Sequence, residues 1–88
     1  MTIHEVMPIK WDSREIVTSP IIGKVEDVCV KFGERIYEGQ PLLVIKKEQG
    51  GLEQIAAGIT GVIDALNVQK GDMVIHGHGL IFIRDDLD

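Results

Sequence analysis

The apolar positions of this chain fall into two frames of the same shape. Laying Ser19–Ile45 over Ala57–Ile83, a shift of 38 residues without a gap, aligns Ile21 with Ile59, Gly23 with Gly61 and Val30 with Val68. Farther along, Gly33 meets Gly71, Gly39 meets Gly77, Leu42 meets Leu80 and Ile45 meets Ile83. Conservative pairs fill the spaces between: Val25/Ile63, Glu26/Asp64, Val28/Leu66, Glu34/Asp72 and Ile36/Val74. A repeat that keeps its glycines and its aliphatic frame in step marks two units that bury their faces against each other.

Within each copy the period is that of short strands. Val28 and Val30, like Leu66 and Val68, alternate with polar residues at a spacing of two, which puts them on one sheet face. Val25 and Ile63 are one residue out of that phase, so a bulge or a change of sheet is expected at Glu26-Asp27 and again at Asp64-Ala65. Lys31-Phe32-Gly33-Glu34 and Gln69-Lys70-Gly71-Asp72 read as turns, where glycine takes a positive φ without steric cost. Ile36 and Val74 point inward after them. Glu38–Pro41 and His76–Gly79 form second turns that feed aliphatic strands. Leu42–Lys47 and Leu52–Ala57 make the two arms of a central hairpin with its tip at Glu48, Gln49, Gly50 and Gly51. No segment predicts a helix, because glycines box in the only candidate, Leu52–Ala57. The expected fold is all-β: two small antiparallel sheets packed as a sandwich with quasi-two-fold internal symmetry.

Composition narrows the functional classes. The 88 residues suit one small domain, with 1–14 as an N-terminal extension, 15–84 as the folded unit and 85–88 as a polar tail. Ile3, Ile9 and Trp11 of the extension are candidates to cover a sheet edge. A net charge of −5 disfavours nucleic acid and an anionic membrane surface, both of which call for a basic face. No apolar run approaches the length of a membrane span or a signal segment, and the single cysteine, Cys29, offers no disulfide. A cytoplasmic protein is the expectation.

The spacing of the repeat resembles the biotinyl/lipoyl carrier-domain family. The family frame is present as Pro20, Gly23, Val25, Val28, Val30, Gly33, Glu34, Ile36, Gly39, Gln40 and Leu42. It returns as Gly61, Ile63, Leu66, Val68, Gly71, Asp72, Val74, Gly77 and Leu80. The resemblance covers roughly Glu15 to Ile83 and implies a barrel-sandwich of eight short strands. It also implies a modified lysine on the hairpin between the halves, usually in Met-Lys-Met or Asp-Lys-Ala, whose arm swings between active sites of a partner enzyme. Counting in from either flank brings that position to Gln49 or Gly50, and neither has an amine. Lys46 and Lys47 are the nearby amines, expected on the outgoing strand two to four residues earlier.

Other chemistry is thin. His76 and His78 flank Gly77 on a turn and His4 lies in the extension, but no third and fourth ligand completes a metal site. Cys29 sits between two inward valines and has no base and orienting group in a recognisable pattern. Phe32, whose repeat mate is Lys70, and Tyr37, which follows inward Ile36, are expected on the surface as a docking patch for a protein partner. An open sheet edge also permits self-association. The leading expectation from these residues is a non-catalytic protein-binding or scaffold module with a carrier fold and no covalent cofactor. The alternative is a biotinyl or lipoyl carrier modified at Lys47 or Lys46, serving a multi-subunit enzyme.

Overall fold

The computed structural model describes residues 14–85. They form eight strands: β1 (Arg14–Thr18), β2 (Gly23–Val28), β3 (Arg35–Ile36), β4 (Pro41–Lys47), β5 (Leu52–Ala56), β6 (Gly61–Leu66), β7 (Met73–Val74) and β8 (Gly79–Asp85). There is no helix among the described residues. Every strand of the first half recurs in the second at the 38-residue shift: β1 as β5, β2 as β6, β3 as β7 and β4 as β8.

The strands make two four-stranded antiparallel sheets, in the orders β1-β8-β6-β3 and β5-β4-β2-β7. Each sheet therefore takes two strands from each half. The short strands β3 and β7 cross over and are held by reciprocal backbone bonds. The Gly33 N–H donates to the Ile63 carbonyl and the Ile63 N–H to the Glu34 carbonyl, both at 2.9 Å. In the other half the Gly71 N–H donates to the Val25 carbonyl at 2.9 Å and the Val25 N–H to the Asp72 carbonyl at 2.8 Å.

The two phase slips in the sequence are bulges. Val25 pairs with Ile45 and Asp27 with Val44, which leaves Glu26 as the extra residue; Ile63 and Ala65 leave Asp64 in the same way. Strand β2 ends at Val28, so Val30 and Val68 reach the core from the links that follow their strands. The core is aliphatic and nearly symmetric, with Val25, Ile36, Leu42, Leu43 and Ile45 buried against Ile63, Val74, Leu80, Ile81 and Ile83. Burying side chains of this size contributes about 1.5–3 kcal/mol each.

Both ends of the described chain lie in sheet structure. Arg14, read as the last residue of the extension, begins β1 opposite Arg84, and Asp85, read as the first residue of the tail, ends β8 opposite Gly61. His4, Ile3, Ile9 and Trp11 lie outside the described residues. No helix of the described residues is long and apolar enough to cross a membrane.

Candidate functional site

The β4–β5 hairpin projects from one end of the sandwich, and its geometry follows from its glycines. The Gly50 N–H donates to the Lys47 carbonyl and the Lys47 N–H donates to the Gly51 carbonyl, each at 3.0 Å. Glu48 and Gln49 are thus the central pair of the turn. Gly50 and Gly51 follow with φ of 94° and 91°, values that a side chain would strain. These two residues absorb the length that puts the counts from the two flanks out of step by one.

Strand β4 lies between β2 and β5, so the hairpin is anchored on both sides. At its base Gly23 pairs with Lys47, and a Cβ at Gly23 would collide with the Lys46 carbonyl. Glycine is needed here because the strands approach too closely for any side chain. Its repeat mate Gly61 is fitted against the Arg84 carbonyl in the same manner.

The two lysines part company at the end of β4. Ile45 is buried, so strand alternation sends Lys46 to the outer face, where it is exposed between Lys24 on β2 and Leu52 on β5. Lys47 points to the inner side, beyond the end of the core. Its side chain is 39% exposed, and its amine sits 3.7 Å from Glu53 Oε1. Beside it runs an open groove of about 380 Å³ lined by Pro20, Ile21, Ile22, Lys47, Glu48, Gln49 and His76. Ser19 precedes the groove residues Pro20–Ile22, and its buried hydroxyl donates to the Ile21 carbonyl at 2.6 Å.

The remaining candidates are scattered. Phe32 and Tyr37 are 71% and 59% exposed, at opposite ends of β3. His76 and His78 are exposed, and among the described residues no group of three His, Cys, Asp or Glu side chains is placed to hold a metal ion. Cys29 is exposed, and its N–H donates to the Leu42 carbonyl. Ile22 and Glu53 are not marked by any motif, and Pro20 and His76, named above for the family frame and for metal binding, stand instead beside the hairpin around Lys47. For three of them a signal was present in the repeat, as departures of Pro20, Ile22 and His76 from the mates Gly58, Thr60 and Glu38; Glu53 matches its mate Glu15 and gave none.

Residues 15–83 match the family described as "Biotin-requiring enzyme". The chain belongs to this biotinyl/lipoyl domain family. Among relatives of the domain, the biotin carboxyl carrier protein of acetyl-CoA carboxylase from Solanum lycopersicum is 33% identical over 70 residues, 78% of this chain and 97% of that one. The mitochondrial propionyl-CoA carboxylase alpha chain of Homo sapiens is 36% identical over 80% of this chain, which spans only 10% of its length. The biotin carboxyl carrier protein of Streptococcus mutans is 34% identical over 74% of this chain and 49% of its own. In fold the domain is similar to part of the urea carboxylase of Kluyveromyces lactis, with a TM-score of 0.74 at 21% identity over 82% of this chain and 6% of that one. A single-chain, multi-domain long-chain acyl-CoA carboxylase gives 0.77 at 18% identity over 88% and 8%.

These relatives overturn the expectation of a scaffold without a covalent cofactor, because proteins that match the domain over most of its length are biotin carboxyl carrier proteins. That expectation rested on the missing amine at the apex. Amide linkage needs a primary amine within reach of a ligase. Glu48, Gln49, Gly50 and Gly51 supply none, whereas Lys47, the first residue of the hydrogen-bonded turn, supplies a half-exposed one. The hairpin fits the group at that residue.

Proposed function

We propose that this domain is a biotinyl carrier for a carboxylase assembly, with Lys47 as the attachment residue and Lys46 as the second candidate. The domain itself is non-catalytic in this reading. The observation that carries it is the half-exposed Lys47 amine at the mouth of a glycine-pinned hairpin, in a chain that covers 97% of a curated biotin carboxyl carrier protein. Lys46 ranks second because it stands on the outer sheet face beside Lys24, away from the groove and from the turn.

Biotin, when bound, supplies the group-carrying chemistry, and the protein acts as its handle. The chain's own residues do the positioning. Strand β4, held between two neighbours, fixes the backbone of Lys47, and the left-handed glycines keep the turn narrow enough for a ligase to enclose. Glu53 restrains the free amine until it is acylated. Partner chains supply the active sites between which the arm moves, and Phe32 and Tyr37 are the proposed contacts with them, since exposed aromatic residues are enriched in interface cores.

The test is intact-mass and peptide mass spectrometry of the protein isolated from its own cells, alongside transfer by purified biotin ligase to the parent, Lys47→Arg and Lys46→Arg. The expected result is one biotin on Lys47, lost in Lys47→Arg and kept in Lys46→Arg. A native preparation without an adduct, together with failure of ligase transfer to any lysine, overturns the reading.

A further inference from the structure

The 38-residue relation makes each end of the sandwich a control for the other. At the end away from the hairpin, the link between β5 and β6 is tied down by side chains. The Gly58 N–H donates to Glu15 Oε1 and the Glu38 N–H donates to Thr60 Oγ1, both at 3.1 Å. At the hairpin end the corresponding ties are missing for chemical reasons. Pro20 replaces Gly58 and has no N–H to donate. Ile22 replaces Thr60 and brings no hydroxyl to His76, the mate of Glu38. Glu53, the mate of Glu15, faces Lys47 instead.

The groove beside the hairpin is the product of these substitutions. Pro20, Ile21 and Ile22 give it apolar surface, with Ile22 50% exposed. Lys47, Glu48, Gln49 and His76 add an amine, a carboxylate, a carboxamide and an imidazole. Pockets for small molecules begin at roughly 300 Å³ and pair apolar lining with a few polar groups. At about 380 Å³ this groove is in that range, and it contains its own anchor, Lys47.

We propose that the groove receives the head of the arm carried by Lys47, a cyclic urea on an aliphatic tail. The proposal rests on the reading of Lys47 as the attachment residue. The aliphatic tail packs on Pro20, Ile21 and Ile22. The urea N–H groups donate to the Glu48 carboxylate, and the urea oxygen accepts from the Gln49 amide or a His76 ring N–H. Because the anchor lines the groove, the arm folds back without leaving the domain, which then has a parked and an extended state. A short tether gives an effective concentration on the order of millimolar, so an intrinsic Kd of about that size divides the arm evenly between them.

The test uses the full, unmodified chain and biocytin, in which biotin is joined to free lysine, so that it does not depend on attachment. Titration followed by amide and side-chain NMR is expected to give saturable shifts at Ile21, Ile22, Gln49 and His76 with a millimolar midpoint. Ile22→Thr installs the residue found at the opposite end of the fold and is expected to raise the midpoint at least about fivefold. Glu48→Gln, outside the core, is expected to raise it as well, while Thr60→Ile at the far end leaves it unchanged. Shifts that are absent or never saturate, or midpoints unmoved by both groove substitutions, overturn the groove as a binding site. An unmodified Lys47 in the native protein, read by mass, removes the occupant even if biocytin binds. The two failures are therefore told apart.

Discussion

Lys47 and Glu53 face each other diagonally across the β4–β5 ladder, amine to carboxylate, 3.7 Å apart. Both side chains are partly exposed, and such a pair contributes about 0–1 kcal/mol. The proposed attachment amine is thus held in place without being locked away. Glu53→Gln is expected to speed acylation of Lys47 by a small amine-reactive ester about two- to fivefold, with Lys46 in the same molecule unchanged. Peptide mapping against reaction time reads both rates.

Gly23 and Gly61 are required for a different reason from the turn glycines. A methyl group at either would run into a neighbouring strand's carbonyl. Gly23→Ala and Gly61→Ala are each expected to destabilise the fold by about 2–4 kcal/mol, as overpacking against rigid backbone does. At Gly39 a Cβ meets open space, and only the φ of 89° opposes it, so Gly39→Ala should lose about 1–2 kcal/mol. Urea unfolding of the three variants orders them.

Ile36 is fully buried although its strand is only two residues long. Ile36→Ala is expected to cost about 2–5 kcal/mol, since it leaves a cavity where β3 crosses into the opposite sheet. Unfolding should remain a single transition by fluorescence and circular dichroism. A separate early step would mean that β3 docks independently.

Ser19 is buried, and its repeat mate Ala57 is buried without a hydroxyl. Ser19→Ala removes the hydroxyl that receives the Ile21 N–H and donates to the Ile21 carbonyl. The expected cost is about 1 kcal/mol. Faster hydrogen exchange should appear at Ile21 and Ile22, with none at Ile59 and Thr60.

Phe32 and Tyr37 are exposed and project from turns. Phe32→Ser and Tyr37→Ser are expected to change stability by no more than about 0.5 kcal/mol. If they contact the partner, the double variant should be carboxylated more slowly by a reconstituted carboxylase while accepting biotin from ligase at the parent rate. Equal carboxylation rates would remove these residues from the interface.

Much of this fold could be read from the chain because its two halves repeat one pattern. Val25 and Ile63 slip phase at the same place, and the structure answers with bulges at Glu26 and Asp64. Gly33, Gly39, Gly71 and Gly77 take positive φ where the turns were expected. The site was harder to read. A periodic pattern reports which residues face inward, but not that Lys47, unlike Lys46, lines one groove with Pro20–Ile22 of the β1–β2 link. That placement depends on where β4 stops relative to the core and on how two glycines finish the turn. The expectation of no cofactor rested on residue type at the apex alone, and the biotin carboxyl carrier relatives overturn it.

Strand β3 pairs with β6 and β7 with β2, each a strand of the other half. The sandwich consequently has no seam along which one half can peel from the other. A tug on the hairpin is shared by backbone ladders from both halves, so in the proposed carrier any travel between partner sites comes from the side-chain tether and from rotation of the whole body, with the scaffold moving as a single rigid piece.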